Sequence, residues 1–209
     1  MNKNKAKKIL SLLCDYYGEV KPALHYRNIY ELSIAVVLSA QTTDRQVNSV
    51  TPRLFKKYPD YRSLAEAKKS DIEKIIRPTG FFRNKAGNIN KLARKVTAEY
   101  SGILPATFEE LITLPGIGRK SANVIISAGF GRPAFAVDTH VIRIANRLGF
   151  VSDKKPEKVE EAVTAVIPEN SWIKAHLLFI HHGRRTCLAK KPLCAVCPVR
   201  GLCPSAASR

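Results

Sequence analysis

Two residues eighteen positions apart in the chain, Lys120 and Asp138, have side chains that could carry covalent chemistry. Lys120 follows a glycine-rich turn and opens a predicted helix, whose N-terminus disfavours the ammonium ion. Burial at that position would favour the neutral amine further, so Lys120 is a candidate nucleophile. Asp138 precedes another predicted helix, where a carboxylate can hold a proton or stabilise a developing cation. Plainer interpretations also fit, because Lys120 could be a solvated lysine near an anion and Asp138 a helix N-cap.

The stretch 111–122, with the sequence LITLPGIGRKSA, is typical of two helices joined by a tight turn. We expect the first helix to end at Leu114 and the second to begin near Arg119. Gly116 and Gly118 can adopt positive φ in the turn between them. Their backbone N–H groups would lie beside the positive end of the second helix, which suits a phosphate. A simple helix–helix turn fits the same residues.

Four of the five cysteines lie within the last 23 residues, in the spacing C-x6-C-x2-C-x5-C: Cys187, Cys194, Cys197 and Cys203. Four thiolates this close in sequence can surround one metal centre. In a reducing cytosol such clustering favours a metal over disulfides. The spacing alone does not separate zinc from an iron–sulfur cluster. Cys14 stands apart in an apolar helix and is predicted to be a core residue.

Basic residues dominate the charge of the chain, with 35 Lys and Arg against 17 Asp and Glu and a net charge of +18. Such a protein attracts polyanions, because each cation on a phosphate releases a counterion. Lys190 and Lys191 lie between the first two clustered cysteines, and Arg184 precedes them, so a metal centre would hold these charges against a phosphate backbone. No stretch approaches the roughly 18 apolar residues of a membrane-spanning helix. The apolar run 9–14 is too short for a secretory signal, and a cytoplasmic protein without membrane association is expected.

Helical periodicity runs through nearly the whole chain and predicts an all-α fold. Apolar residues recur at helical intervals in 83–100, and 30–40 is apolar nearly all round, which suits a buried helix. The Gly-Arg-Pro sequence at 131–133 interrupts the pattern and is predicted to divide the chain into two parts. Three pairs of Ser or Thr with a following Glu are predicted to start helices: Ser63/Glu66, Ser70/Glu73 and Thr107/Glu110.

Four motifs, in this order and over nearly the whole chain, resemble the endonuclease III family: LSAQTTD, LPGIGRKSANVI, AVDTHVIR and the cysteine spacing. That family comprises bifunctional DNA glycosylases and apurinic/apyrimidinic lyases of the helix-hairpin-helix superfamily. The resemblance implies base-excision repair of double-stranded DNA that carries damaged bases, oxidised pyrimidines above all, or abasic sites. It also implies two helical domains, a six-helix barrel over 22–132 and an iron–sulfur domain formed by 1–21 and 133–209, with an active-site cleft between them. A monomer associated with the nucleoid is expected.

The resemblance also assigns roles to single residues. Lys120 corresponds to the nucleophile and Asp138 to the catalytic aspartate, while the four clustered cysteines correspond to the ligands of a [4Fe-4S] cluster. Gln41 corresponds to the residue that fills the hole left by a flipped nucleotide. Phe81 stands where relatives insert an apolar side chain, often leucine, beside the unpaired opposite base, and His140 corresponds to a residue that lines the site. Further DNA contacts are expected from Gly116, Gly118, Arg184, Lys190 and Lys191.

Two other functions are compatible with the same residues. One is a mismatch-specific glycosylase on the same scaffold, although such relatives tend to lack the lysine. The other is a non-catalytic DNA-binding module that uses the hairpin and the metal loop only to grip DNA. Lys120 together with Asp138 argues against the binding module.

Overall fold

The computed structural model of the chain describes residues 1–207, which contain twelve α-helices and no β-strand. The all-α prediction is therefore confirmed. Contacts between residues divide the chain into two compact units, one formed by Met1–Lys21 with Pro133 onward and the other by Pro22–Arg132. Among residues 1–207, no helix is long and apolar enough to cross a bilayer.

The Pro22–Arg132 unit contains seven of the helices. Their bounds are α2 (Ile29–Leu38), α3 (Asp44–Lys57), α4 (Tyr61–Glu66), α5 (Lys69–Ile76), α6 (Phe82–Glu99), α7 (Phe108–Leu111) and α8 (Arg119–Val124). A π-helical turn, Ile125–Gly129, continues α8. Helices α3, α6 and α8 and the π-helical turn all pack against α2.

Helix α2 forms the buried centre of this unit, because every residue from Tyr30 to Leu38 is buried. Asn28 caps its N-terminus by accepting a 2.9 Å hydrogen bond from the backbone N–H of Glu31. The ring of Tyr30 packs edge-on against Phe55 and Tyr61, with centroid distances of 5.7 and 4.8 Å. The buried helix predicted over 30–40 is confirmed, although it ends two residues earlier, at Leu38.

The other unit contains α1 (Lys3–Tyr17), α9 (Thr139–Leu148), α10 (Pro156–Thr164), α11 (Trp172–Arg185) and α12 (Pro204–Ala207). Helix α9 packs against α10, α11 and α12, and α1 packs against α11. The first helix joins a core that is otherwise built from the second half of the chain, because Ala6, Ile9 and Leu13 lie on one buried helical face. Cys14 packs against the same core, as predicted.

The predicted helix starts were only partly right. Thr107 does cap α7, since its hydroxyl oxygen accepts the N–H of the third helical residue at 3.3 Å. The start at Ser63 is wrong, because Asp60 three residues earlier accepts the N–H of Ser63 at 2.8 Å and caps α4 instead. The start at Ser70 is wrong as well, because α5 already begins at Lys69 without a side-chain cap. The burial of three isoleucines of α5 outweighs the local preference of Ser70 for a cap position: Ile72, Ile75 and Ile76.

Candidate functional site

The predicted turn lies between α7 and α8. Helix α8 begins at Arg119, as predicted, whereas α7 ends at Leu111, three residues earlier than predicted. Gly116 has the expected positive φ of 83°. The positive φ expected of Gly118 is wrong, because this residue is the N-cap of α8 and takes the extended conformation typical of N-caps, with φ −101°.

The two glycines serve different purposes. A Cβ on Gly116 would lie 2.9 Å from Cγ1 of Val37 and 3.1 Å from Cβ of Asn88, so the turn packs tightly against α2 and α6. A Cβ on Gly118 would meet nothing within 4 Å. The first turn of α8 therefore presents its backbone N–H groups beside open space, without a side-chain cap over them. This geometry suits the approach of an anionic group.

Lys120 is the second residue of α8, and its side chain is exposed. Of the two environments that the sequence allowed for Lys120, buried or solvated, the structure shows the solvated one. The reason is helical geometry, because Ala122 two residues later is fully buried and Lys120 lies on the opposite face of the same turn. The amine is accessible to a substrate that approaches from solvent. Lys120 belongs to the Pro22–Arg132 unit and Asp138 to the other unit.

Asp138 caps the N-terminus of α9. Its Oδ1 accepts a 2.8 Å hydrogen bond from the backbone N–H of Val141, and its side chain is half-buried. The four residues before it, 134–137, are all buried, so the carboxylate stands where the chain leaves the core. The interpretation as an N-cap is confirmed. The cap also fixes the orientation of the carboxyl group.

His140 is held as a neutral imidazole with one hydrogen-bond donor. Its Nδ1 lies 3.1 Å from Nη2 of Arg143. A guanidinium group only donates, so Nδ1 accepts from Arg143 in the tautomer that carries its hydrogen on Nε2. Burial lowers the pKa of His140; the carboxylate of Asp138 opposes this effect, and the positive charges of Arg143 and Arg184 add to it. The His140 side chain is thus a neutral donor at neutral pH.

The four clustered cysteines line one cavity, together with side chains such as Leu148 and His182. All four are partly buried, and none is in a disulfide. Burial raises the pKa of the thiols of Cys197 and Cys203, and the nearby sulfur atoms of the other cysteines raise it further. Among residues 1–207, no three potential ligands converge on a point where a single ion would fit. Four partly buried thiols that line one cavity are a ligand set that fits a [4Fe-4S] cluster, whose irons would favour the ionised thiolates.

Two arginines of α9, which were not predicted from the sequence, hold the segment that begins at Cys187. Arg147 donates from Nη1 to the carbonyl oxygen of Leu188 at 2.7 Å and from Nη2 to that of Ala189 at 2.8 Å. Arg143 donates from Nε to the carbonyl oxygen of Cys187 at 3.1 Å. The i,i+4 spacing of the two arginines, which puts them on one face of a helix, is the sequence signal that could have found them.

A buried histidine connects α1 with the cysteine segment. Nδ1 of His182 lies 2.8 Å from Oη of Tyr17, and Nε2 lies 3.8 Å from Sγ of Cys197. Burial, assisted by the positive charge of Arg143, lowers the pKa of His182 to about 4. The ring is therefore neutral, and a hydrogen on Nε2 would face the sulfur while Nδ1 accepts from the tyrosine.

The basic residues expected to contact DNA lie on the surface. Arg184, near the end of α11, is exposed, as are Lys190 and Lys191. The two lysines directly follow the segment that Arg147 holds by its carbonyl oxygens. Their backbone is therefore anchored although their side chains reach into solvent.

Gln41 and Phe81 share an uncommon backbone conformation. Their φ values are 51° and 46°, in the left-handed region that side chains other than glycine rarely adopt. Both side chains are exposed, and the Phe81 ring is 66% exposed. Backbone strain of this kind persists where the surrounding structure enforces it, and it concentrates at functional sites. Among the site residues predicted from the family resemblance, Gln41 and Phe81 are the two residues other than glycine with a left-handed backbone.

Two family models match the chain. One describes HhH-GPD superfamily base excision DNA repair proteins and matches residues 34–169. The other describes the iron-sulfur binding domain of endonuclease III and matches residues 187–203. Among curated proteins, endonuclease III of Synechocystis sp. is 44% identical over 205 residues, which cover 98% of this chain and 94% of that protein.

Solved structures show the same similarity. A trapped covalent intermediate of an endonuclease III with DNA, in an estranged-adenine complex, has a TM-score of 0.95 and 41% sequence identity, covering 100% of this chain and 99% of that chain. A thermostable thymine-DNA glycosylase has a TM-score of 0.89 and 24% identity, with coverage of 99% and 98%. At that lower identity the likeness shows the fold alone.

The two turn glycines should respond differently to alanine. Gly116→Ala combines a positive φ with a Cβ only 2.9 Å from Val37, and we expect it to lower the free energy of unfolding by about 1–3 kcal/mol. Gly118→Ala, with its extended backbone and open surroundings, serves as the control and should lower that free energy only by the cost of alanine at an N-cap, about 0.5–1 kcal/mol. Urea unfolding measures both. Equal losses in the two variants would contradict the tight packing of the turn.

Proposed function

The chain belongs to the endonuclease III family of the HhH-GPD superfamily of base excision DNA repair proteins, and on that basis we propose how its residues act on DNA. It is a DNA glycosylase and apurinic/apyrimidinic lyase with a [4Fe-4S] cluster. Its proposed substrate is double-stranded DNA with an oxidised pyrimidine or an abasic site, on which it acts as a monomer. The full-length similarity to a protein trapped in covalent linkage to DNA carries this proposal. The exposed amine of Lys120 supports it.

Phosphate contacts would position the DNA. The first turn of α8 offers backbone N–H groups beside Gly118, where the missing side chain leaves room for a phosphate. Arg184, Lys190 and Lys191 add exposed positive charge in the other unit. Contacts of this type fix the register of a protein on the duplex and are independent of base sequence. They also make affinity fall steeply with salt.

Base removal requires the damaged nucleotide to leave the stack, which costs a few kcal/mol and less for a base that pairs badly. We propose that Gln41 enters the vacated position and that Phe81 inserts beside the opposite base. The exposed, strained conformations of both residues support this assignment. The flat ring of Phe81 can stack on a base, which the branched leucine common in relatives does less well.

Lys120 is the proposed nucleophile. Once the everted nucleotide covers Lys120 and displaces water, the amine attacks C1′ with its lone pair. The N–C1′ bond forms, and the glycosidic bond breaks with its electron pair leaving on the base, which takes up a proton. The nitrogen loses a proton, and the C1′–O4′ bond of the sugar breaks with its electron pair leaving on O4′, which takes up a proton. The product is a protonated Schiff base. Removal of a C2′ proton then forms a C=C bond and expels the 3′ phosphate, which breaks the strand.

Asp138 and His140 would assist from the start of α9. The Asp138 carboxylate, oriented by its cap hydrogen bond, stabilises the cationic sugar and exchanges protons with the amine. The neutral His140 offers the hydrogen on Nε2 to an oxygen of the everted nucleotide. Neither residue forms a covalent bond in this scheme.

Cys187, Cys194, Cys197 and Cys203 are the proposed ligands of the [4Fe-4S] cluster. Their placement around one cavity supports this assignment. When bound, the cluster cross-links the end of the chain and takes no part in the bond chemistry at the sugar. The loop between the first two ligands carries Lys190 and Lys191, so anchoring it at both ends holds these charges toward the DNA.

Borohydride trapping tests the nucleophile. With abasic duplex DNA, the reductant should convert the Schiff base into a stable protein–DNA adduct, and Lys120→Ala should lower the rate of adduct formation by about a hundredfold or more. Lys174→Ala is the matched control, because Lys174 is an exposed lysine in the first turn of α11. An undiminished adduct in Lys120→Ala, or none in the wild-type protein, would refute the proposed chemistry.

Two substitutions at Asp138 separate capping from catalysis. Asparagine caps a helix as well as aspartate does, so Asp138→Asn should keep the free energy of unfolding within about 0.5 kcal/mol, whereas Asp138→Ala should lose about 1 kcal/mol. Both should slow base excision by about a hundredfold, because both remove the charge. Single-turnover excision and urea unfolding give the two readouts. A fully active Asp138→Asn would show that the residue is only a cap.

Replacing a proposed cluster ligand should cost folding and DNA binding together. Cys197→Ser is expected to lose iron, the brown colour of the purified protein, thermal stability and affinity for duplex DNA. Cys14→Ala is the control, because Cys14 packs on the core away from the cavity and its replacement should leave iron content unchanged. Iron analysis and a DNA-binding titration measure the outcome. Normal affinity in a cluster-free protein would contradict the structural role.

A further inference from the structure

Lys85, in the second turn of α6, is a lysine that the fold buries. Only 4% of the residue is exposed. Its Nζ donates one hydrogen bond to the carbonyl oxygen of Thr79 at 2.8 Å and another to the hydroxyl oxygen of Thr42. That hydroxyl in turn donates to the same carbonyl oxygen at 2.5 Å. Both acceptors of the buried ammonium are therefore neutral oxygens that also contact each other.

The two acceptors belong to the segments that carry the strained residues. Thr42 directly follows Gln41, and Thr79 lies two residues before Phe81. The backbone N–H of Lys85 also donates to the carbonyl oxygen of Phe81 at 3.1 Å. The side chain of one lysine thus joins the two segments that carry these exposed residues, which are 40 positions apart in sequence.

Packing alone does not call for a lysine at this place. An ammonium is costly to bury, and a methionine of similar length would fill the space without a charge. Burial lowers the pKa of Lys85, which shows that the surroundings disfavour its charged form. What the charge adds is strength and direction, since hydrogen bonds from an ammonium are about twice as strong as those between neutral groups.

We propose that Lys85 is a positioning residue that holds Gln41 and Phe81 as one preorganised pair for insertion into DNA. The inference rests on the insertion roles proposed above for these two residues. A left-handed backbone at a residue other than glycine costs about 1–3 kcal/mol and persists only where neighbouring contacts enforce it. The two side-chain hydrogen bonds of Lys85 supply such contacts to both segments at once. Without them each segment can relax, and insertion must order both again.

Lys85→Met tests the proposal on two substrates of the full-length protein. One is a duplex with an oxidised thymine, which must be everted and its gap filled; the other is a single strand with an abasic site, which has no base stack to fill. We expect excision from the duplex to slow by about 10- to 100-fold and strand cleavage on the single strand to stay within about twofold. Lys91→Met, an exposed lysine of the same helix, is the control and should change neither rate.

A variant cycle separates positioning from a general structural defect. If Lys85 acts through Gln41 and Phe81, then adding Lys85→Met to a protein that already carries Gln41→Ala and Phe81→Ala should slow excision no further. A general defect would multiply the two losses. Thr42→Val removes the hydroxyl that accepts from Lys85 and should slow duplex excision while sparing single-strand cleavage, as Lys85→Met does. If Lys85→Met does not fold, Thr42→Val still tests the proposal.

The outcomes separate a failure of the positioning role of Lys85 from a failure of the insertion roles of Gln41 and Phe81 on which it rests. Wild-type excision by Phe81→Ala and Gln41→Ala would overturn the insertion roles themselves. Slow excision by Phe81→Ala with wild-type excision by Lys85→Met and Thr42→Val would overturn only the positioning role of Lys85. Equal losses on duplex and single strand, or multiplied losses in the cycle, would also overturn it.

Discussion

A helix that is buried on every side must be enclosed by other elements, and α2 imposes this constraint on the Pro22–Arg132 unit. The turn before α8 packs so closely on α2 that Gly116 has no room for a Cβ beside Val37. The π-helical turn after α8 approaches from another direction, where Gly129 meets Ile29 and Leu32. Gln41 follows the C-terminus of the same helix. The turn before α8 and the segment at Gln41, which are both proposed to contact DNA, are thus positioned by one rigid core helix.

In the other unit, α9 is the helix that positions the proposed functional residues. Asp138 caps its N-terminus, while Arg143 and Arg147 on its next turns hold the segment at Cys187. A proposed catalytic carboxylate and a proposed cluster ligand therefore depend on the same helix. The bonds to the cysteine segment are guanidinium-to-carbonyl contacts, which keep its backbone acceptors satisfied where regular structure ends.

The fold does not by itself select the reaction. A thymine-DNA glycosylase that is 24% identical shares the fold with a TM-score of 0.89. Chemistry resides in side chains placed on such a scaffold, and the one proposed to be decisive here is Lys120. Its exposure means that the substrate itself must complete the environment in which the amine reacts. Preorganisation is then needed at the residues that keep the nucleotide everted, and the strained backbones of Gln41 and Phe81 are consistent with that need.

Local signals in the sequence determined the all-α class, the buried α2 and the start of α8, because periodicity and glycine or proline turns act over a few residues. The cysteine spacing is part of the sequence itself. Tertiary structure decided what depends on distant partners. In the folded chain Lys120 is exposed, and Asp60 caps α4 where the sequence had predicted Ser63. The side chain of Lys85 contacts that of Thr42, 43 positions earlier. Burial of α2 and its neighbours contributes more free energy than one cap or one turn preference, so packing overrides local propensity wherever the two disagree.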